Sequence, residues 1–480
     1  MSRTRDLLEA TLARLLREGA RYADIRSTVT EHQIVKVRNG AIETLASTRD
    51  KGIGIRVLSG NGWGFAAESE DSEQALHRSA LRALEIARAS HVASTDSVML
   101  SPIDPCVSSW SSSYRIDPWS VPIQKKIDLL LETTEPMRSD ERIHQATGEI
   151  SSYRQEKVFA SSEGSWIEQS TTEMGGGIEA IAISGGEYQR RTYPNPFGGD
   201  FQARGWELIE ELALPENGLR IRDEALALLD APKAPAGTFD LIVGSSQLAL
   251  QVHESCGHPV ELDRALGLEI SLAGGSFLQP PMLGNFRYGS DLVTIVADAT
   301  IPASIGSFGF DDEGVPAQRF PLIEGGIFVD YLTGRDTAPV LGRRSNGTVR
   351  GESAMRIPII RMTNINLEPG TTSVDEIIAG TRRGILVDTN KSWSIDDLRL
   401  NFQFGCEIAW EIENGRIGRM LKNPIYTGMT PSFWRSCDAV GDRASWHVWG
   451  LPNCGKGDPM QTMRVAHGAP VARFRNVEMA

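Results

Sequence analysis

A chain of 480 residues is too long for one compact core, so two domains are the expectation. Hydrophobic residues make up 40% and charged residues 23%, an ordinary globular balance, and no apolar run reaches signal-peptide or transmembrane length. The net charge of −13 argues against a nucleic-acid partner and against an anionic membrane surface, and five scattered cysteines form no disulfide framework, so the expected compartment is a reducing cytoplasm.

Residues 5–20 set Leu8, Leu12, Leu15 and Leu16 at helical spacing, which predicts an amphipathic helix. Residues 24–26, 34–38 and 52–57 read as strands of a meander, with turns at Asn39-Gly40 and Gly60-Asn61-Gly62. Ser69-Glu70-Asp71-Ser72 opens a helix to about Ala89. Residues 92–120, rich in Ser, Pro and Asp, read as a long surface connection, and a helix runs from about 122 to 134. Residues 142–190 read as strands broken at Gly175-Gly176-Gly177 and Gly185-Gly186, with helical stretches near 202–214 and 218–230. This order predicts an N-terminal α+β domain over residues 1–230, built on an antiparallel sheet. Residues 231–237, Ala-Pro-Lys-Ala-Pro-Ala-Gly, form a linker. Residues 238–480 then read as a second, β-rich domain, a sandwich or barrel. It begins with a strand at 239–243 and a helix that Ser245 or Ser246 caps. Its other strands lie near 292–296, 326–331, 384–387, 401–404 and around Asn414-Gly415, with a short helix at 374–382.

The early helix of this second domain carries the chain's most concentrated chemistry, His253-Glu254-Ser255-Cys256-Gly257-His258-Pro259. Two imidazoles are a common ligand pair for Zn2+, and a Glu beside the first can serve as a base toward a water that the ion polarises. The spacing is five, where a regular helix puts ligands on one face at four. Five steps of about 100° leave the second ring about 140° away from the first. The helix must therefore end, or carry a π-bulge, between Cys256 and His258. Gly257 is suited to a left-handed cap, and Pro259 biases His258 away from helical geometry.

A catalytic zinc takes three protein ligands and an open position. Cys454 is the leading third candidate, because it sits in a Gly- and Pro-rich loop and Lys456 would favour its thiolate. The alternative is a small buried Cys in a turn. Cys256, His447 and His467 are weaker candidates, Cys256 reading better as an apolar filler. Two rival functions stand beside a peptidase: a Cys hydrolase using Cys454 or Cys256, and a non-catalytic partner subunit with a structural zinc.

The motif resembles that of the TldD/PmbA family of metallopeptidases, in particular the catalytic TldD-type subunit. The resemblance continues through Phe310-Asp311-Asp312-Glu313-Gly314-Val315-Pro316, Leu322-Ile323-Glu324-Gly325-Gly326, Arg361-Met362-Thr363-Asn364, Ile412-Glu413-Asn414-Gly415 and Asn453-Cys454-Gly455-Lys456. It implies zinc held by His253, His258 and Cys454, with Glu254 as catalytic acid/base. It implies two domains, a homodimer or a heterodimer with a TldE/PmbA-type subunit, and unfolded or modified peptides as substrates. Arg361, Asn364 and residues 311–313 stand as candidate substrate contacts, with turn and salt-bridge roles as the alternative. Ser255-Cys256-Gly257 replaces a more hydrophobic stretch, and residues 393–397 replace a more glycine-rich one.

Overall fold

The computed structural model describes residues 2–480 apart from Asp71, Thr95, Asp96 and Ala273. Asp71, in the stretch expected to open a helix, thus lies outside the described residues. The N-terminal elements are α1 (Ser2–Arg17), β1 (Tyr22–Arg38), β2 (Ala41–Ser59), β3 (Gly62–Glu68), α2 (Glu73–Ala93), β4 (Val107–Ser111), α3 (Ile123–Met137), β5 (Ile143–Ser161), β6 (Trp166–Ser184), β7 (Glu187–Tyr193), β8 (Asp200–Gln202), α4 (Glu207–Leu212) and α5 (Leu214–Asp230). The strands make an eight-stranded sheet, ordered β3-β2-β1-β5-β6-β4, with β7 and β8 also on β6. Helices α3 and α5 pack on β1, β5 and β6 around Leu130, Ile150, Ile178 and Ile221. Leu8, Leu12 and Leu15 of α1 enter a second cluster with α2.

Two expectations change here. The strands at 24–26 and 34–38 are parts of one strand, because the polar stretch Thr30-Glu31-His32-Gln33 pairs on both sides, with β2 and β5. Gly175-Gly176-Gly177 lies inside β6 and breaks nothing. A Cβ on Gly175 would meet the Phe201 ring at 2.1 Å, and one on Gly177 would meet Gly199 Cα at 2.6 Å. These glycines admit a close backbone approach from β8 and its preceding loop. Asn39-Gly40 does turn the chain, with φ of 51° and 78°.

The connection at 92–120 is tied down at two places. β4 pairs with β6 in parallel, in a sheet whose other pairings are antiparallel. The buried Glu207 carboxylate accepts the backbone N–H groups of Arg115 (3.0 Å), Ile116 (2.9 Å) and Gly205 (3.0 Å). Burial alone would raise this carboxyl, but the three N–H donors bring it down to about 2. A depressed carboxylate adds stability above its unfolded pKa, and that stability is lost as pH falls through the folded value. Glu207→Gln is therefore expected to cost about 2 kcal/mol at pH 7 and to flatten the loss of stability between pH 5 and 2. Urea unfolding across that range checks it, and a variant as acid-sensitive as the parent contradicts it.

The remaining elements are β9 (Gly237–Val243), α6 (Ser245–Val252), α7 (Leu262–Ala265), β10 (Ile295–Asp298), β11 (Arg319–Glu324), β12 (Ile327–Phe328), β13 (Val349–Arg350), β14 (Ile359–Ile360), β15 (Ile365–Leu367), α8 (Val374–Ala379), β16 (Arg383–Ile395), β17 (Asn401–Glu413), β18 (Arg416–Leu421), β19 (Ile425–Met429), α9 (Thr430–Arg435), β20 (Cys437–Val440), β21 (His447–Lys456), β22 (Gln461–Ala469) and β23 (Ala472–Met479). This half is β-rich, as expected, and it contains a closed ring. β16 pairs with β9, β9 with β23, β23 with β19, β19 with β17, and β17 again with β16. α6 leaves the end of β9 and lies within the main core of this half, with Leu248 and Val252 fully buried. Gly244, and neither serine, occupies its N-cap position. Ser245 Oγ instead donates to Ala469 O (2.6 Å), and Ser246 Oγ to Asp388 Oδ1 (3.1 Å).

The two halves are joined by buried charge. Asp312 accepts from Arg26 (3.1 Å) and Lys157 (2.5 Å), and Glu313 pairs with Arg56 (3.0 Å). Residues 311–313 are each about 1% exposed, so this acidic loop locks the large sheet to the β-rich half. That is the salt-bridge alternative noted above.

Candidate metal centre

The helix distortion forced by the five-residue spacing is present. α6 runs directly into a π-helical segment, His253–Gly257, and the His258 N–H donates to His253 O (3.2 Å). One extra residue per turn carries His258 back onto the His253 face. The rings then lie 4.7 Å apart, nearly perpendicular at 88°. Neither expected helper acts as predicted. His258 keeps helical angles, φ −69° and ψ −44°, despite Pro259. Gly257 has no positive φ, and its role is close packing: a Cβ there would sit 2.1 Å from Met362 Sδ. The widened turn is held by Tyr288 Oη donating to Ser255 O (2.9 Å) and Trp434 Nε1 donating to Ser255 Oγ (2.9 Å). Gly257→Ala is expected to destabilise the fold by about 1–3 kcal/mol through overpacking and to lower metal content by moving His258. Urea unfolding with elemental analysis checks both, and a variant with full stability and full metal content contradicts it.

The structure brings His253, His258 and Cys454 together. One ligand atom from each lies within 4.8 Å of the others, and all three residues are buried. Cys454 Sγ stands 3.9 Å from His258 Nε2. A tetrahedral ion with bonds of about 2.0–2.3 Å holds its ligands about 3.5 Å apart, so small shifts close this set around one ion.

The outer hydrogen bonds fix the imidazole tautomers. His467 Nδ1 lies 3.1 Å from Ile365 O, a pure acceptor, so Nδ1 carries the proton. His467 Nε2 must then accept from His253 Nδ1 (2.7 Å), which leaves the His253 Nε2 lone pair free. On the other side His258 Nδ1 donates to Glu261 Oε2 (2.9 Å), freeing its Nε2. Arg264 Nη2 also approaches that Nδ1, at 3.2 Å, but the carboxylate contact is shorter. Burial pushes His253 and His258 down to about 4, so both rings are neutral near pH 7, the form able to bind a metal. Burial alone would raise the Cys454 thiol, but Arg361 and His258 reverse this and lower it, favouring the thiolate.

The cation beside the thiolate is thus Arg361, and the expected role of Lys456 is replaced. Lys456 Nζ is spent on Asp263 (2.7 and 2.8 Å) and Ile360 O (2.8 Å), with Glu261 at 3.3 Å. Arg361 and Asn364, expected near substrate, are both fully buried. Arg361 donates to Cys454 O (2.5 Å) and Gln461 O (3.1 Å). Asn364 donates to Asp298 O (2.5 Å) and accepts from Ser304 (2.6 Å). They brace the Cys454 strand and its surroundings. Cys256 is a buried core thiol that burial pushes well up. His447 pairs with Asp200 (3.0 Å).

Glu254 is 5% exposed and lies outside the ligand set. Its Oε2 accepts from Arg399 Nη1 at 2.6 Å. His467, Glu261 and Arg399 carried no local sequence signal for these roles. A cavity of about 590 Å³ opens between the large sheet and the β-rich half, lined by Tyr153, Gln155, Glu173, Arg350, Asn453 and Met463. Asn453 precedes Cys454 in β21, and Met463 is the residue paired with it in β22.

Two imidazoles and a thiol meeting at one buried point, with a carboxylate beside them, define a site of the metalloprotease class. Sequence profiles of the PmbA/TldA metallopeptidases match the chain three times: domain 1 over residues 23–87, the central domain over 116–229 and the C-terminal domain over 236–480. The chain belongs to the PmbA/TldD family of metallopeptidases. A metalloprotease of Methanocaldococcus jannaschii is 31% identical over 425 residues, 88% of this chain and 90% of its own length. A metalloprotease TldD homolog of Buchnera aphidicola is 27% identical over 464 residues, 95% of this chain and 92% of its own. The crystal structure of TldE from Thermococcus kodakarensis has the same fold, with a TM-score of 0.74 at 18% identity over 99% of this chain and 100% of that one. Among the described residues no helix is long and apolar enough to cross a membrane.

Proposed function

We propose that this chain is a zinc-dependent peptidase that hydrolyses unfolded or modified peptides, with His253, His258 and Cys454 as zinc ligands and Glu254 as general base. The observation that carries the reading is the convergence of three ligand atoms within 4.8 Å, with Glu254 adjacent yet outside the set. Zinc bound there supplies Lewis-acid chemistry, polarising the scissile carbonyl and acidifying a water. The Glu254 carboxylate takes the proton from the attacking water and passes it to the leaving amine. His467 and Glu261 hold the two rings in the tautomers that present Nε2. His253, Glu254, His258 and Cys454 are each at most 5% exposed, and so desolvated a setting strengthens these contacts. A peptide fits extended along β21, whose one ladder partner among the described residues is β22. Main-chain pairing beside Cys454 accepts many sequences. The family resemblance and the TldE fold likeness support a second copy or a TldE-type subunit as partner. Five cysteines without disulfides support a cytoplasmic site of action.

The test is elemental analysis of the purified chain and of Cys454→Ser. The parent is expected to hold about one zinc per chain and to lose peptidase activity on chelation. Cys454→Ser is expected to lose most of the metal, because a neutral hydroxyl replaces a thiolate. A parent that hydrolyses peptides after complete metal removal excludes this reading, and so does a serine variant that keeps its zinc.

A further inference from the structure

Arg399 is the cation that holds Glu254, and its placement is costly. It sits between β16 and β17 with φ +64°, a left-handed conformation that L side chains rarely adopt. The short loop around it is built to keep it there. The Asp396 carboxylate accepts from Leu400 N (2.7 Å), Asn401 N (3.1 Å) and Asn401 Nδ2 (2.6 Å). Arg399 N donates to Asp396 O (2.9 Å), and Thr430 Oγ1 donates to Arg399 O (2.9 Å). Backbone strain held this firmly beside a reacting group points to function. The guanidinium is only partly used. Nη1 bonds Glu254, while the buried Nε has no partner. The Arg399 side chain is partly buried, 17% exposed, and the loop beside it is open to solvent, with Leu398 48% exposed.

A base bound by a guanidinium has a lone pair tied up in that bond. Freeing Glu254 leaves Arg399 unpaired unless another carboxylate replaces it, and a partly desolvated cation without a partner is unfavourable. An exchange of one carboxylate for another avoids that cost. Arg is suited to it, since its planar fork takes a carboxylate through two parallel N–H bonds, one more than Glu254 uses.

We propose that Arg399 is a specificity residue: it latches Glu254 in the resting chain and binds a carboxylate of the substrate in its place, so that cleavage is selective for peptide bonds near a free C-terminus or an acidic side chain. The inference rests on Glu254 as the base, and the test separates the two. The probes are pentaalanine with a free C-terminus, pentaalanine amide, and the amide with one Ala replaced by Glu. The parent is expected to cleave a carboxylate-bearing probe with kcat/KM about 10- to 100-fold above that of pentaalanine amide, chiefly through KM, as one charge-assisted contact allows. The free C-terminus and the Glu probe distinguish the two carboxylate sources. Arg399→Ala is expected to bring the ratio to about one, and Arg399→Lys to keep part of it. Arg399→Gln, neutral and close in shape, carries the same test if the alanine variant folds poorly. A merely structural role would lower all rates together and leave the ratio unchanged. Calorimetric binding of the same probes to Glu254→Gln, with and without Arg399→Ala, reads the preference without catalysis. Selective binding by Glu254→Gln, combined with peptidase activity that Glu254→Gln leaves unchanged, supports the anchor and rejects the base. Equal binding and equal kcat/KM for acids and amides overturn the proposal, as does a ratio that survives Arg399→Ala.

Discussion

Glu254→Gln is expected to lower kcat/KM for peptides about 10²- to 10⁴-fold while zinc content stays at the parent level. The range is what a positioned general base contributes, equivalent to about 3–5 kcal/mol of transition-state stabilisation. The substitution is chosen to separate roles. Gln keeps an oxygen that accepts from Arg399 Nη1, so the 2.6 Å contact is kept as a neutral–charged bond and the loop is not released. Glu254 contributes no atom to the three-residue ligand cluster, so removing its charge does not empty the site. A fall in kcat with KM and metal unchanged assigns the carboxylate to proton transfer. A parallel loss of zinc would make Glu254 a ligand. Unchanged, chelator-sensitive activity would remove it from the chemistry and leave the structural-zinc reading standing.

What the sequence carried and what it hid divide along the range of the interaction. The π segment was legible because a five-residue spacing between two ligands is incompatible with a straight helix, an argument needing only the local geometry of residues 253–258. Cys454 was legible as a candidate, but the Gly- and Pro-rich loop expected around it is the end of strand β21, where Cys454 pairs with Met463. His467 stood only as a weaker ligand candidate, and its part in orienting His253 was hidden for a different reason. Its role is set by β22 crossing behind the helix, 214 residues on in the chain, and nothing near Ala466-His467-Gly468 marks it. Lys456 was misread because proximity in sequence to Cys454 does not say where Nζ points. Lys456 shares a strand face with Cys454, but its long stem carries Nζ past the thiol to Asp263. The glycines of β6 and the polar centre of β1 misled in a shared way. Gly and polar residues interrupt a hydrophobic pattern, yet in a strand paired on both sides the ladder, and not the side chains, decides continuity. The same polar stretch contributes His32 to the wall of the 590 Å³ cavity. A residue that breaks a pattern was, there, a residue with a second surface to serve.

Lys456→Met is expected to destabilise the chain by about 3 kcal/mol at pH 8, the low end of the cost of breaking a buried ion pair by removing one partner. The ammonium is completely buried, and its hydrogen bonds go to Asp263 and Ile360 O. Met matches the length of the chain it replaces, so the loss is electrostatic and not a cavity. Two features keep it from the upper end. Glu261 retains Arg264 at 2.7 Å and His258 at 2.9 Å, which with Lys456 hold it well below the usual carboxylate range against its burial. Asp263 is already pushed up to about 6 by burial, despite Lys456, and escapes further cost by binding a proton. That escape sets the sign of the pH dependence. A carboxyl whose folded pKa is raised holds its proton longer in the folded chain than in the unfolded one, so stability falls as pH rises from about 4 toward the folded value. Without Lys456 the folded value moves higher still. The deficit of the variant is therefore expected to be smaller at pH 5 than at pH 8, which urea unfolding at the two values reads directly. A deficit that grows toward acid would mean that Asp263 is not the group left exposed. Because Glu261 also orients His258, the variant is expected to bind zinc about 10- to 100-fold more weakly, the usual effect of disturbing a ligand's hydrogen-bond partner. The cluster that Lys456 completes thus bears on both quantities at once: the same buried charges that hold β21 against α7 keep His258 in the one tautomer that leaves its Nε2 toward Cys454.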